Sequence, residues 1–387
     1  MAPKILFISF FSKMRGGAEL HTIQLASALS LRGYQVTLIC QIDDEEIEIY
    51  KKRNIDLSKV TFKRKRTNSK SPKIRTLVFE FLRYRPNIVL IPKGGIGSGS
   101  LIIEILSKLI RIPLIAIEHS TPITLPAPKN FKGIIIPTPF MLKLWFKFSI
   151  RSWFTSKNIC VSYTQAEILI KSWKFNPNKI EVIHNFVDQK LFYSDCNRRS
   201  QARKLCKIPQ SSFVYGMITR LEPVKQVEIA IKKFNQQDCT NSYLIIFGEG
   251  SEKKRLEGLL KEKNSMERIK LFDFTSTPWD IYPCFDYFLI TSKTEGLPLS
   301  LLEAMASGCI PISADVGGIK EVIVNNNNGF LYQSNDMNEL GHIIYKLSKM
   351  EPEKVQCLKK EANKTTSRFA LENIMGRYEQ LIKQLLH

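Results

Sequence analysis

KTEGLPLSLLEAMASGCIPISADVGGIKE, running from Lys293 to Glu321, sets two carboxylates, Glu295 and Glu303, at the two ends of a helix-opening turn. The preceding run from Tyr287 to Ser292 is apolar with polar bounds, the pattern of a buried parallel strand, and Leu299 to Ser307 carries apolar residues at helical spacing up to Gly308. The stretch therefore reads strand, loop, helix. Gly296 frees the loop backbone to approach a ligand, and the helix opening near Leu299 turns its unpaired N–H groups and positive dipole end back toward that loop. A phosphate or a polar sugar suits such a place. On spacing alone two readings stay open. Either Glu295 is a cap and Glu303 a dipole-compensating surface charge, or the pair accepts hydrogen bonds from separate hydroxyls of one elongated ligand.

Outward from this stretch, length and composition set the frame. A chain of 387 residues exceeds the size at which one hydrophobic core usually stops growing, so two domains are expected. The eight cysteines stand singly with no C-x-x-C pair, which argues against a zinc site and a disulfide framework and fits a reducing cytosol. The opening MAPKILFISFF has one early basic residue and reads as a first buried strand rather than a signal peptide, and no apolar run is long enough to span a bilayer.

The net charge of +21 is unevenly spread: residues 1–190 hold 30 Lys and Arg against 13 Asp and Glu, and residues 191–387 hold 27 against 23. Lys51, Lys52, Arg53, Lys59, Lys63, Arg64, Lys65, Arg66, Lys70, Lys73 and Arg75 are opposed locally by Asp56 alone. Such a run is a solvated basic face or attracts a polyanion: an anionic membrane surface, a lipid diphosphate or nucleic acid. Nucleic acid is disfavoured, because aromatic interleaving and the recognised motifs are missing. Met141 to Phe154, MLKLWFKFSIRSWF, is apolar and cationic at once, which suits either an interfacial helix among lipid headgroups or a helix packed on a sheet.

In chain order, strands are expected at 4–10, 35–40, 60–63, 87–91, 113–118, 158–162 and 180–183, with helices at 18–31, 73–84, 100–109, 141–154 and 163–173 between them. Periodicity lapses around Phe186 to Ser200, so residues 189–200 are read as a hinge after a first domain, 1–188. A second alternating unit, 201–366, follows: strands at 213–217, 243–247, 269–272, 287–290 and 310–313, and helices at 226–234, 252–261, 278–284, 299–307, 319–324 and 336–349. Alternation of this kind gives parallel sheets covered by helices, with ligands at the carboxyl ends of the strands. Three further places sit at such ends. Gly16-Gly17 can approach a phosphate or form a plain turn; His119 closes the Pro113 to Glu118 strand; and Arg220 with Lys225 offers a planar fork and a point charge to a diphosphate, or forms a surface pair.

Taken together, these residues resemble the retaining glycosyltransferases of family 4, of the GT-B fold. Glu295 and Glu303 with Ala304-Met-Ala are similar to the E-x7-E signature of that family, and Val316-Gly-Gly-Ile-Lys-Glu321 with Asn328-Gly-Phe-Leu331 to its continuation. Thr219-Arg-Leu-Glu-Pro-Val-Lys225 resembles the family's G-R-L-x-x-x-K-G diphosphate motif, with Thr219 in place of the first glycine and Gln226 of the last; Val182-Ile-His-Asn-Phe-Val-Asp188 resembles V-I-x-N-G-V-D, with Phe186 for glycine. The resemblance implies an α/β, GT-B architecture: two Rossmann-like domains facing each other across a cleft, the first for the acceptor and the second for a nucleotide sugar, with residues 367–387 crossing back to the first.

It also implies roles. Glu303 would hold the nucleotide ribose, Glu295 the donor sugar hydroxyls, Arg220 and Lys225 the diphosphate, and His119 would lie by the donor sugar. Gly16 and Gly17 would approach diphosphate and acceptor, Gly296, Leu297 and Leu299 would offer backbone near sugar and phosphate, and Asn185 would support them. Pro298 has no N–H to give. No D-x-D motif occurs and neither metal nor other cofactor is expected; the donor is a substrate. The implied reaction moves a sugar, with retention, to a hydroxyl of a saccharide acceptor, and the basic first half suggests one that is lipid-linked, used for bacterial surface polysaccharide or lipopolysaccharide at the inner face of the cytoplasmic membrane. Rival readings are a glycosidase, whose carboxylate pair needs no diphosphate clamp, a nucleotide-sugar epimerase on the same fold, and a basic scaffold or nucleic-acid-binding protein.

Overall fold

Apolar runs bounded by polar residues become parallel strands in both halves of the chain. The computed structural model describes residues 2–11, 16–64, 74–94, 98–120, 129–131, 134–136, 149–237, 241–262, 267–334 and 336–386. The chain divides into two units: Met1–His184 together with Ile374–His387, and Asn185–Asn373.

In unit one the strands are β1 (Lys4–Ile8), β2 (Gln35–Cys40), β3 (Val60–Arg64), β4 (Ile88–Lys93), β5 (Leu114–Glu118), an antiparallel hairpin of β6 (Lys129–Phe131) and β7 (Ile134–Ile136), then β8 (Lys157–Cys160) and β9 (Ile180–Val182). Seven of them form one parallel sheet in the order β3-β2-β1-β4-β5-β8-β9, with Ile5 opposite both Val36 and Ile88. The strands of the middle of the sheet are buried along their whole length, as a sheet covered on both faces requires. Leu77 and Phe81 of the Ile74–Tyr84 helix and Ile103 of the Leu101–Leu109 helix pack on Leu6, Ile8, Val89 and Ile91 in one apolar cluster. Strand order reverses between β1 and β4.

Unit two repeats the plan with β10 (Phe213–Ile218), β11 (Ser242–Phe247), β12 (Ile269–Phe272), β13 (Tyr287–Ile290), β14 (Ile310–Ala314) and β15 (Phe330–Tyr332), all parallel, in the order β12-β11-β10-β13-β14-β15. Here the reversal falls between β10 and β13, which is where an open α/β sheet leaves a crevice at the carboxyl ends of its strands.

Several expectations are corrected. The division into units falls at His184 and Asn185, ahead of the residues 189–200 read as a hinge; those residues lie inside unit two, Phe192 is buried, and Cys196–Leu205 is a helix whose N-terminus is capped by the Asp195 side chain accepting from Arg198 N. Its basic composition hid it, because its buried Arg203 is fixed by Asp286 rather than by apolar spacing. Asp44–Lys52 is a helix where none was assigned; its signal is a capping box between Asp43 and Glu46. Only the three residues Ile319–Glu321 of the expected 319–324 helix form a helical turn. Of the expected 141–154 helix, residues 149–154 are helical and 141–148 lie outside the described residues, as do Lys65, Arg66, Lys70 and Lys73 of the basic run and residues 12–15 of the first loop.

Candidate functional site

At the β10–β13 reversal a small cleft is lined by Thr219, Lys225, Thr291, Ser292, Glu295 and Ser300, among others. Backbone contacts tie two sides of it together. Thr291, just past β13, donates its hydroxyl to the carbonyls of Lys225 and Gln226, and Lys293 N donates to Val224 O, so the 219–226 loop is tied to the end of β13. Gln226 adopts the left-handed conformation, φ 49°. That conformation explains the glycine of the resembled motif at this position, since a side chain there is strained.

The loop tie brings Lys225 to Glu295: Nζ donates to Oε1 at 2.5 Å, both side chains being largely buried. The loop carrying Glu295 is fixed from two sides. Gly318 N donates to Gly296 O at 2.7 Å, and Asn185 Nδ2 donates to Leu297 O at 2.6 Å. Gly317 makes the first contact geometrically feasible: it has φ +59° and a Cβ there would stand 1.9 Å from Glu295 O. Two loop carbonyls are thus occupied. The Leu299–Ala306 helix begins at Pro298 without a side-chain cap, and Ser300 in its first turn lines the cleft, so the positive end of the helix dipole is presented there.

Glu303 lies in the second turn of that helix, 7% exposed, and its Oε2 accepts from Tyr282 Oη at 2.9 Å. Arg220 is exposed at the end of β10; its carbonyl accepts from Glu222 N, and its charge is one of the smaller causes that lower the pKa of the Glu222 carboxyl. Unit two therefore gathers Lys225, Glu295, Gly296, Leu297, Leu299, Asn185 and Glu303 around one loop and one helix, with Arg220 at the rim of the same strand end.

Unit one holds the remaining residues. Gly16 is the N-cap of the Gly17–Leu31 helix, and His21 in its second turn meets His119, which follows β5, edge-on at 4.8 Å between ring centroids. Tyr378 stands 6.2 Å from His21 between ring centroids. His119 Nε2 is enclosed and has no hydrogen-bond partner among the described residues, and burial lowers the pKa of that imidazole to about 3. Burial, with His119 as a second and smaller cause, also puts His21 well below the ordinary histidine range. Both rings are neutral at pH 7, so His119 can offer a hydrogen bond but not a positive charge.

Two family models match the chain: Glycosyltransferase Family 4 over residues 15–191 and Glycosyl transferases group 1 over residues 199–365. The chain belongs to the group 1, family 4 glycosyltransferases. Among them it is 29% identical over 199 residues to the Escherichia coli UDP-Gal:alpha-D-GlcNAc-diphosphoundecaprenol alpha-1,3-galactosyltransferase, covering 50% of this chain and 51% of that one, so the chain spans about half the length of this relative. A Campylobacter jejuni N-acetylgalactosamine-N,N'-diacetylbacillosaminyl-diphospho-undecaprenol 4-alpha-N-acetylgalactosaminyltransferase is 23% identical over 343 residues, 87% of each chain. In fold the chain is similar to Anabaena Alr3699/HepE, solved with UDP, at a TM-score of 0.79 and 21% identity, covering 98% of this chain and 100% of that one. This family member thus has the GT-B α/β fold, two Rossmann-like parallel-sheet units.

Sequence reading of this family member missed Tyr282 and Thr291. The ties of Thr291 and Lys225 join residues 66 and 70 positions from their partners, and no local pattern announces such a contact. Gly317 could have been found: it stands in a Gly-Gly pair just past the expected 310–313 strand.

Proposed function

We propose that this protein transfers a sugar from a nucleotide diphosphate sugar to a hydroxyl of a saccharide acceptor, with retention at the anomeric carbon and without a metal. The Lys225–Glu295 pair carries this reading: a cation suited to a diphosphate and a carboxylate suited to sugar hydroxyls share one cleft at the strand reversal of unit two. In the reaction the bond from the anomeric carbon to the diphosphate oxygen breaks, the diphosphate leaves with the electron pair, and the acceptor oxygen bonds to the same face. The acceptor's proton passes to the departing diphosphate. Arg220 and Lys225 stabilise the charge that develops on it, Glu295 holds the sugar hydroxyls, Glu303 the ribose, Asn185 the loop from Glu295 to Leu299, and His119 donates near the sugar. Gly16 and Gly17 place backbone near the diphosphate and acceptor. Uridine is the first base to test, because the E. coli relative uses UDP-Gal and HepE was solved with UDP.

The proposed acceptor is lipid-linked, as the names of the E. coli and C. jejuni relatives say of theirs, in bacterial surface polysaccharide or lipopolysaccharide synthesis. Among the described residues no helix is long and apolar enough to cross a membrane. Unit one instead exposes Phe79 (61%), Leu109 (71%) and Trp153 (75%) beside Arg75, Arg83, Lys108 and Arg111, a mixture that suits peripheral contact with anionic lipid on the cytoplasmic side.

The deciding experiment is calorimetric titration with UDP, GDP and ADP in EDTA, for the intact protein, Arg220→Ala and Glu303→Ala. Micromolar binding of one nucleotide that both variants lose is the expected outcome. Binding of none overturns the proposal, and donor isomerised without acceptor would turn it into an epimerase.

A further inference from the structure

The hydroxyl of Tyr282 touches one of the two carboxylates that the proposed function places on the donor, and the surroundings of that tyrosine leave its ring no latitude. Tyr282 is fully buried in the short helical turn Tyr282–Cys284 before β13. Three phenylalanines meet it edge-on: Phe192 at 5.9 Å, Phe285 at 6.2 Å and Phe288 at 5.5 Å between centroids. Trp279 backs Phe192 at 6.4 Å. The cage has its own supporting device. Gly216, in the middle of β10, lies so close to Phe285 that a Cβ would stand 2.1 Å from the ring, so only glycine lets that ring sit flat on the strand. The backbone turn is tied as well, with the Cys309 thiol 3.3 Å from Tyr282 O.

A phenol held this firmly is a fixed donor. Its Oη donates to Glu303 Oε2 at 2.9 Å, and a carboxylate that accepts from a rigid donor has its plane and its remaining lone pairs set in direction before any ligand arrives. A hydrogen bond from a phenol to a carboxyl oxygen, made in a buried setting, is also stronger than the same bond in water.

We infer that Tyr282 is a positioning residue for nucleotide recognition: it aims the Glu303 carboxylate at the hydroxyls of the ribose. The inference rests on the proposed function, in that it takes Glu303 as the ribose acceptor. It adds a chain of causes from Gly216 through Phe285 and Tyr282 to Glu303, whose first three members have no ligand contact in the proposed function.

Tyr282→Phe keeps the ring in its cage and removes the donor alone, and thermal unfolding verifies that the variant is folded. Calorimetry is then run with UDP and with a UDP analogue lacking both ribose hydroxyls, on the intact protein, Tyr282→Phe, Glu303→Gln and the double variant. Tyr282→Phe is expected to weaken UDP binding about tenfold, to leave binding of the analogue unchanged, and to add nothing in the Glu303→Gln background. A tyrosine serving only the core would shift UDP and the analogue alike, and its effect would persist in the Glu303→Gln background. Either result, or unchanged UDP binding by a folded Tyr282→Phe, overturns the inference while leaving the proposed function standing. Failure of the intact protein to bind any of UDP, GDP and ADP overturns both.

Discussion

Lys225 and Glu295 are each other's partner at 2.5 Å, so a diphosphate reaching Lys225 must compete with Glu295 for it. Removing the competitor's charge should therefore help the nucleotide while harming the reaction. Glu295→Gln is expected to tighten UDP binding by about two- to fivefold, on the scale of a partly exposed ion pair, and to lower transfer at least about a hundredfold through lost contacts to the sugar; calorimetry and a product assay read the two effects separately. The neutral rings of His21 and His119 carry a second prediction. Each titrates lower in the folded chain than the ordinary 6.5, His119 at about 3, so between those values the unfolded chain binds more protons. Stability is therefore complete above about pH 6.5 and is lost as pH falls toward about 3, by up to about 1.4 kcal/mol per pH unit for each ring. The unfolding midpoint should drop between pH 7 and 5, and the His21→Asn, His119→Asn variant should lose that part of the slope. Gln226 offers a third: with φ at 49°, Gln226→Gly should stabilise unit two by about 1 kcal/mol, measurable in urea.

At the level of elements, the strands were legible because a parallel sheet covered on both faces demands uninterrupted apolar runs such as Ile88–Lys93 and Tyr287–Ile290, and few other structures do. Helices announced by charge and capping rather than by apolar spacing escaped. Asp44–Lys52 buries only Glu46 and Tyr50, and what fixes it is the reciprocal Asp43–Glu46 box, so Asp43→Ala should cost about 1 kcal/mol and increase amide exchange through the first turn of that helix. Cys196–Leu205 escaped for the same reason, with Asp195 as its cap. The candidate site divides along this line too. Glu295, Glu303, Lys225 and Arg220 could be named from short motifs, whereas Tyr282, Thr291 and the anchoring of Leu297 O by Asn185 arise only when strands distant in sequence come side by side. The basic run from Lys51 onward looked nearly unopposed, but folding supplies partners beyond its own stretch: Lys63 pairs with Glu80 on the Ile74–Tyr84 helix, and Lys51 with Glu48.

For the whole molecule, the surplus of positive charge in residues 1–190 gives the membrane proposal a test that needs no substrate. Sedimentation with vesicles rich in phosphatidylglycerol should carry the protein down at about 0.1 M salt and release most of it at about 1 M, as the screening length falls from about 10 Å to about 3 Å; pelleting that ignores salt would remove electrostatics from the account. Unit one is assembled from two separated stretches, and Tyr378 of the second presses on His21 of the first. During synthesis, residues 1–184 leave the ribosome long before Ile374–Leu386 exists, while Asn185–Asn373 is complete as soon as its own last residue emerges. The half made first must therefore wait, with the face around His21 uncovered, until the half made second has been finished, and its nascent form is the one most in need of a chaperone.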